Sequence, residues 1–391
     1  MANIAGRKVP VDAGALWGVR SLAIGIEEEF LVVDPVSREV VSRADAVVAR
    51  AAGVLGPCVS AEVTRFQVEV MTPPSTSLAE LGGHVSHIRG AAGEAARAEG
   101  VGVVASGSPV LGAVVPVPVT DKPRYRDSAR RFRALLDEQC ICGVHIHVDV
   151  PDRERAVLVS NHLRPWLPVL LAMAANSPYW CGRDTGYASW RTLTWSRWPV
   201  SGPPPYFESV AHYDALVATL LDNGALMDVG TIYWDVRPSA HLPTIELRVA
   251  DVPADPEVTL LIAALARALV ATALGDVERG ESAWPIPGEL LRSAYWRAAR
   301  DGLSGSGVDP ASGRLLPATD LVLRLLHRCR AALDAGGDLT FAMAAVDRLL
   351  RDGDGASRQR AAYARRGRLT DVVDVLLDRT AGRPVSRSAA P

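Results

Sequence analysis

Polar and apolar positions along the chain follow a period of two in several short stretches and a helical period in longer ones. Residues 22–33 (LAIGIEEEFLVV) are apolar at both ends and acidic in the middle, which predicts a strand whose centre carries charge. Residues 63–71 (VTRFQVEVM) alternate and then meet 72-TPPS-75, which stops the strand. Further strands are predicted over 101–110, running into a loop, and over 141–150, 231–239 and 243–251. Helical spacing covers 44–53, 77–99 and a charge-rich 124–139, then a helix capped by Asp152 that leads into 166–180. Helices over 212–224, 256–274, 319–335 and 339–350 follow, with a basic helical end. Residues 109–123 and 181–208 read as loops and 302–314 as a Gly/Ser-rich connection, with no repeats and no low-complexity linker. The expected organisation is one domain over 21–380, between an N-terminal arm (1–20) and a disordered tail (381–391).

Residues two apart on a strand share a face. Glu27 and Glu29 therefore share one, with Glu28 opposite, and Gln67 shares one with Glu69, while Phe66, Val68 and Val70 point into an apolar layer. His145 pairs in this way with His147, and Glu246 with Arg248. The pattern predicts an α+β fold: a mainly antiparallel sheet with helices on one face and a cleft on the other. In one sheet, the cleft face would collect at least four carboxylates, two imidazoles and an arginine.

Composition narrows what that face can do. With 42 basic and 44 acidic residues the net charge is −2, which gives no electrostatic reason to expect nucleic acid or an anionic membrane as partner. Lys8 and Lys122 are the only lysines, so no G-x-x-x-x-G-K-[ST] loop exists and any nucleotide must be bound without one. Five cysteines (58, 140, 142, 181, 329) make neither a disulfide framework nor a C-x-x-C zinc pair, and Cys140 and Cys142 read as small buried side chains. The N-terminus lacks a signal-peptide core, and the apolar run 258–274 carries Arg267 near its middle, as a core helix would. A soluble, reduced, cytoplasmic protein is expected.

Carboxylates crowded on one face repel each other and resist ionisation unless divalent cations relieve them. Carboxylates with imidazole and no thiolate suit magnesium or manganese. Cations bridging phosphate oxygens, with arginine beside them, are what phosphoryl transfer from ATP uses. Each element also has a plain structural reading: a solvated acidic face, an isolated H-x-H, a sheet-surface salt bridge between Glu246 and Arg248. It is their recurrence in four otherwise aliphatic strands that points to a site. The segment 176–205 adds Trp180, Trp190, Trp195 and Trp198 with Arg183, Arg191 and Arg197, which reads as a substrate lid or as a long loop packed down by its tryptophans. The stretch 358-RQRAAYARRGR-368 reads as a solvated helix face.

The motifs GIEEEFLVVD, TRFQVEVMTPP, CGVHIHVDVPD, ANSPYWCGRDTGYASWR, WDVRPS and PTIELRVADV, in this order over about 22–350, resemble the carboxylate–amine ligase family, the type 2 glutamate–cysteine ligase-like proteins. The resemblance implies the glutamine synthetase-like catalytic fold, a curved, mainly antiparallel sheet forming a funnel for metal ions and ATP. It implies ATP-dependent joining of a carboxylate to an amine through an acyl phosphate, with Mg2+ or Mn2+, and with glutamate and cysteine as default substrates. By matching motifs, Glu27, Glu29, Glu62, Glu69, His145 and Glu246 would be metal ligands, and Arg248, Glu246 and Arg237 would be catalytic. Arg191, Trp195, His147 and Arg183 would meet substrate. Residues 106-SGSPV-110 depart from the Thr-His-Pro of some members. Expected partners are amino-acid and amine small molecules, with a homodimer compatible with the sequence. Competing readings are a ligase for another amino acid and amine, a metal-dependent hydrolase, and a silent ligand-binding homologue.

Overall fold

The computed structural model describes residues 22–381, so the expected arm and all but the first residue of the expected tail lie outside the described residues. Among these described residues the central sheet has seven strands: β1 (Ile24–Val33), β2 (Val59–Ala61), β3 (Gln67–Met71), β4 (Gly102–Val104), β5 (Gly143–Asp149), β6 (Val236–Pro238) and β7 (Thr244–Asp251). They run in the order β6-β7-β5-β1-β3-β2, β4 pairs with the end of β1, and every pair is antiparallel. The sheet is open, and helices pack against it, as an α+β chain requires.

Period-two alternation in β1 decides which side of the sheet becomes the site. Ile24, Ile26 and Glu28 are buried towards the helices, whereas Gly25, Glu27 and Glu29 face the other way. Glu28 survives in the helical layer because Arg89 meets it with two bonds, Nε to Oε2 at 2.7 Å and Nη2 to Oε1 at 2.5 Å. Thr259 Oγ1 donates to the same carboxylate at 2.8 Å, and Arg89 also donates to the carbonyls of Pro253 and Ala254. The middle acid of the EEE run is thus a structural anchor.

Helix Pro256–Glu278 backs β5 and β1. Asp255 caps it by accepting from Glu257 N, and proline occupies its first turn. By length and composition it could cross a membrane, yet 89% of its apolar window is buried in the protein. Arg267 is enclosed inside it, ion-paired with Asp338 and donating to Thr76 O at 2.5 Å. Helices Leu78–Ala98 and Arg153–Leu163 start at the Ser77 and Asp152 caps, the latter as the sequence predicts.

Several predicted elements need correction. The strand expected over 63–71 begins only at Gln67, because Thr64 Oγ1 draws Phe66 N and Gln67 Oε1 into a local turn. The charge-rich helix expected over 124–139 is broken at Arg133, whose φ is 53°, into Pro123–Phe132 and Ala134–Asp137. Residues 181–208 contain the helix Trp190–Trp195, capped by Ser189, and 302–314 contains a strand (Ser306–Val308) that pairs with Leu315–Pro317. Helix Gly288–Asp301, absent from the expected elements, buries Leu291, Ala294, Tyr295 and Ala298 at helical spacing.

Candidate active site

Strand register brings the charged pairs together row by row. Glu29 on β1 stands opposite Glu69 on β3, and Ser60 on β2 stands opposite Glu69 on its other side. Glu27 stands opposite His145, and across β5, β7 and β6 the row His147, Glu246, Arg237 continues the same face. Apart from Ser60, these residues line one cavity of about 320 Å3, together with Glu62, Arg248, Arg191 and Trp195, in the range expected of a small-ligand site. Of the predicted site residues, only Arg183 is left out. It is exposed, in a two-residue ladder pairing Trp180 with Arg183, away from the cavity.

His145 is the pivot. Its Nδ1 lies 3.1 Å from Glu27 Oε2 and 3.9 Å from Glu246 Oε1, and its Nε2 lies 3.8 Å from Glu29 Oε1. Among the described residues, two groupings of three ligands share it, Glu27–His145–Glu246 and Glu29–Glu69–His145, each with its donor atoms within 4.8 Å of one another. Either could hold a divalent cation. Glu62 lines the same cavity without joining either grouping, its carboxylate accepting from Val63 N at 2.9 Å.

Electrostatics divides the face into two halves. Burial, then the neighbouring Glu62, pushes Glu29 up to about 7, and burial with Glu62, Glu27 and Glu29 pushes Glu69 well above the carboxylate range. Glu62 is also raised, chiefly by burial. On the other half, burial is outweighed: Arg248 and Arg237 hold Glu246 well below the usual range, and bonds from His145 and His147 hold Glu27 low. His145 itself is pushed down to about 4 by burial and then Arg248, so it is a neutral imidazole with a lone pair for a cation.

Glu246 is gripped from both sides: Arg237 Nε donates to Oε2 at 2.8 Å, and Arg248 Nη1 donates to Oε1. Arg248 Nε is buried without a hydrogen-bond partner among the described residues. His147 Nδ1 meets Thr244 Oγ1 at 2.9 Å, and its Nε2 lies 3.3 Å from Glu27 Oε1. One wall is aromatic: Trp195 packs on Tyr233 with ring centroids 4.7 Å apart, and Trp198 stands edge-on to Tyr233 at 5.7 Å. Trp198 Nε1 donates to Gln139 at 3.1 Å, so the tryptophans of this segment hold it down as well as walling the cavity.

Sequence reasoning missed Arg124, Tyr125, Gln139, Tyr233 and His241, all of which line the cavity. Tyr233 had a signal, since it sits four residues before Arg237 in a segment read as one strand. Arg124 and Tyr125 have none, since they open a helix whose sequence shows little beyond its high charge.

An open antiparallel sheet backed by helices is the frame on which this acidic, histidine-bearing face is built. Similar frames occur in the solved glutamate–cysteine ligase of Francisella tularensis in complex with AMP (TM-score 0.68, 12% identity, 94% of this chain and 90% of that one). A bifunctional glutathione synthetase from Pasteurella multocida also shares it (TM-score 0.71, 15% identity, 95% and 54%). Identities this low establish the fold. The family model for glutamate–cysteine ligase family 2 matches residues 23–375. A Mycobacterium sp. (strain KMS) protein named "Putative glutamate--cysteine ligase 2-2" is 48% identical over 360 residues, covering 91% of this chain and 98% of its own. A relative in Nocardia farcinica (strain IFM 10152), named in the same way as a 2-1 form, is 48% identical over 342 residues, covering 87% and 88%. The chain belongs to glutamate–cysteine ligase family 2, and it is a ligase of the carboxylate–amine type.

Proposed function

We propose that this ligase joins a carboxylate to an amine at the expense of ATP through an acyl phosphate, with glutamate and cysteine as the default pair. The observation that carries the reading is the pair of ligand groupings sharing His145, flanked by Arg237 and Arg248. The donor set fits a hard divalent cation: carboxylate oxygens and one imidazole, no thiolate, with Glu29 and Glu69 held back from ionising by burial and by the neighbouring acids. Glu27, Glu29, Glu69, His145 and Glu246 would hold Mg2+ or Mn2+, which would neutralise phosphate oxygens. Glu62, outside both groupings, is the sixth ligand in this reading.

The chain's own groups account for the rest. Glu246 fixes both guanidiniums on the cavity side, where charge builds up during phosphoryl transfer. The donor carboxylate oxygen attacks the γ-phosphorus and ADP leaves; the amine nitrogen then attacks the acyl carbon, phosphate leaves, and the nitrogen gives up a proton. The wall of Trp195, Trp198 and Tyr233 keeps water from the activated acyl group. His147 and Trp195 are substrate contacts in this reading, and the sheet with its cavity serves as the funnel, within one catalytic domain over 21–380.

The test is ADP release with Mg2+ and ATP, screened over single amino acids and then over pairs. ADP formed only when donor and amine are both present supports the reading and names the substrates. Amide cleavage without ATP would replace it with a hydrolase, and binding without turnover would replace it with a silent homologue.

A further inference from the structure

Arg191 lines the cavity, and both terminal nitrogens of its guanidinium go to the backbone, while Nε is buried without a hydrogen-bond partner among the described residues. Between Leu247 and Ala250, β7 slips against β5: Leu247 pairs with Ile146 and Ala250 with Val144, so two residues of β7, Arg248 and Val249, span the single residue His145. This is a β-bulge, a device that re-aims a side chain next to a site. A bulge leaves backbone groups outside the ladder, and buried carbonyls need partners. Arg191 supplies them: Nη2 donates to Arg248 O at 3.0 Å and Nη1 to Val249 O at 3.5 Å. On the other edge, Arg248 N donates to Asp235 O at 2.8 Å.

The guanidinium reaches the bulge over Gly143, where an added Cβ would lie 2.5 Å from Nη2. It is fixed at the end of the same strand. Asp251 Oδ1 lies 4.0 Å from Arg191 Nη1, and the Asp251 carboxylate accepts from Asn176 N, Ser177 Oγ and Ser189 Oγ at 2.6–2.8 Å. Ser177 Oγ in turn accepts from Arg191 N at 3.1 Å. The loop that carries Arg191 is therefore tied to the strand that carries Glu246 and Arg248.

We propose that Arg191 is a positioning residue: by holding the two bulge carbonyls it sets the direction of Arg248, and it acts on the reaction through Arg248 without touching a substrate. The inference rests on the ligase reading for its kinetic test but not for its structural one. Arg191→Lys keeps the positive charge that Glu29 senses, yet one ammonium cannot reproduce a planar fork on two carbonyls.

The experiment compares Arg191→Lys, Arg191→Ala, Arg248→Ala and the Arg191→Ala/Arg248→Ala double variant by ADP release, with a crystal structure of Arg191→Lys. Both Arg191 variants should lose about 10–100-fold in kcat with the KM for the carboxylate within about threefold. The double variant should be no slower than Arg248→Ala alone, within about twofold. A KM raised tenfold with kcat retained would overturn the proposal in favour of a substrate contact, and multiplying losses would overturn it in favour of independent action. If the parent protein itself releases no ADP, the ligase reading fails and the crystal structure decides: a displaced Arg248 side chain upholds the positioning role, and an unmoved one overturns it. Should Arg191→Ala not fold, Arg191→Lys carries the same comparisons.

Discussion

Glu29 on β1 and Glu69 on β3 stand directly opposite each other on neighbouring strands, two half-buried carboxylates in register. Like charges so placed destabilise a sheet, and the chain tolerates them at the point where its fold builds a cavity. Glu69→Gln removes one of the two. The metal-free protein should then become more stable by roughly 1 kcal/mol or more, while ADP release is lost because a cation loses a ligand charge. Thermal melts and the ADP assay check both halves. A variant that turned over normally would contradict the assignment of Glu69.

The pH dependence of the metal-free protein follows from Glu29, which titrates at about 7 against an ordinary 4.5 because burial and Glu62 penalise its charge. Between these values the folded state holds a proton that the unfolded chain has released. The contribution is full below about 4.5, and it is lost as pH rises through about 7. Melting temperature should therefore fall across that window. Added Mg2+ should raise it more at about pH 8 than at about pH 5.5, since protons compete with the cation. Equal shifts at both would count against a cation at Glu29.

Arg248→Ala separates chemistry from scaffolding. If its guanidinium serves the transferring phosphoryl group, the rate should fall by about 100-fold or more while Mg2+ affinity changes by less than about threefold. Calorimetric titration beside the kinetic assay reads both. Parallel losses in rate and affinity would mark Arg248 as a structural partner of Glu246 instead.

The acid between Glu27 and Glu29 should behave in the opposite way from its neighbours. Arg89→Ala strands Glu28 in the helical layer with its two best bonds gone. A loss of about 3–5 kcal/mol in folding stability is expected, read by urea unfolding. A variant as stable as the parent would show that Glu28 finds other partners.

Most of the site was legible because a strand's period of two is a geometric fact. Once 22–33, 63–71, 141–150 and 243–251 are read as strands, Glu27 and Glu29, Gln67 and Glu69, His145 and His147, and Glu246 and Arg248 must each share a face. Which strands are neighbours was not legible, and that decides that Glu29 meets Glu69 and that His145 serves two groupings. Arg191 and Arg183 show the limit most sharply. Eight residues apart in one aromatic segment, they look alike in sequence, yet one is buried on the β7 bulge and the other faces solvent. Helix Gly288–Asp301 was missed although its stripe of Leu291, Ala294, Tyr295 and Ala298 has the helical spacing that would have found it. Arg133 could not be foreseen, since nothing local demands its positive φ.

The central claim is that a carboxylate is activated by phosphoryl transfer within this acidic face, and isotope transfer tests it most directly. The donor identified by the ADP screen is supplied with both carboxylate oxygens as 18O, together with ATP, Mg2+ and the amine, and the phosphate released is followed by 31P NMR. An acyl phosphate requires one carboxylate oxygen to leave with phosphorus, so each inorganic phosphate should carry a single 18O. Unlabelled phosphate, with amide formed or not, would contradict the account.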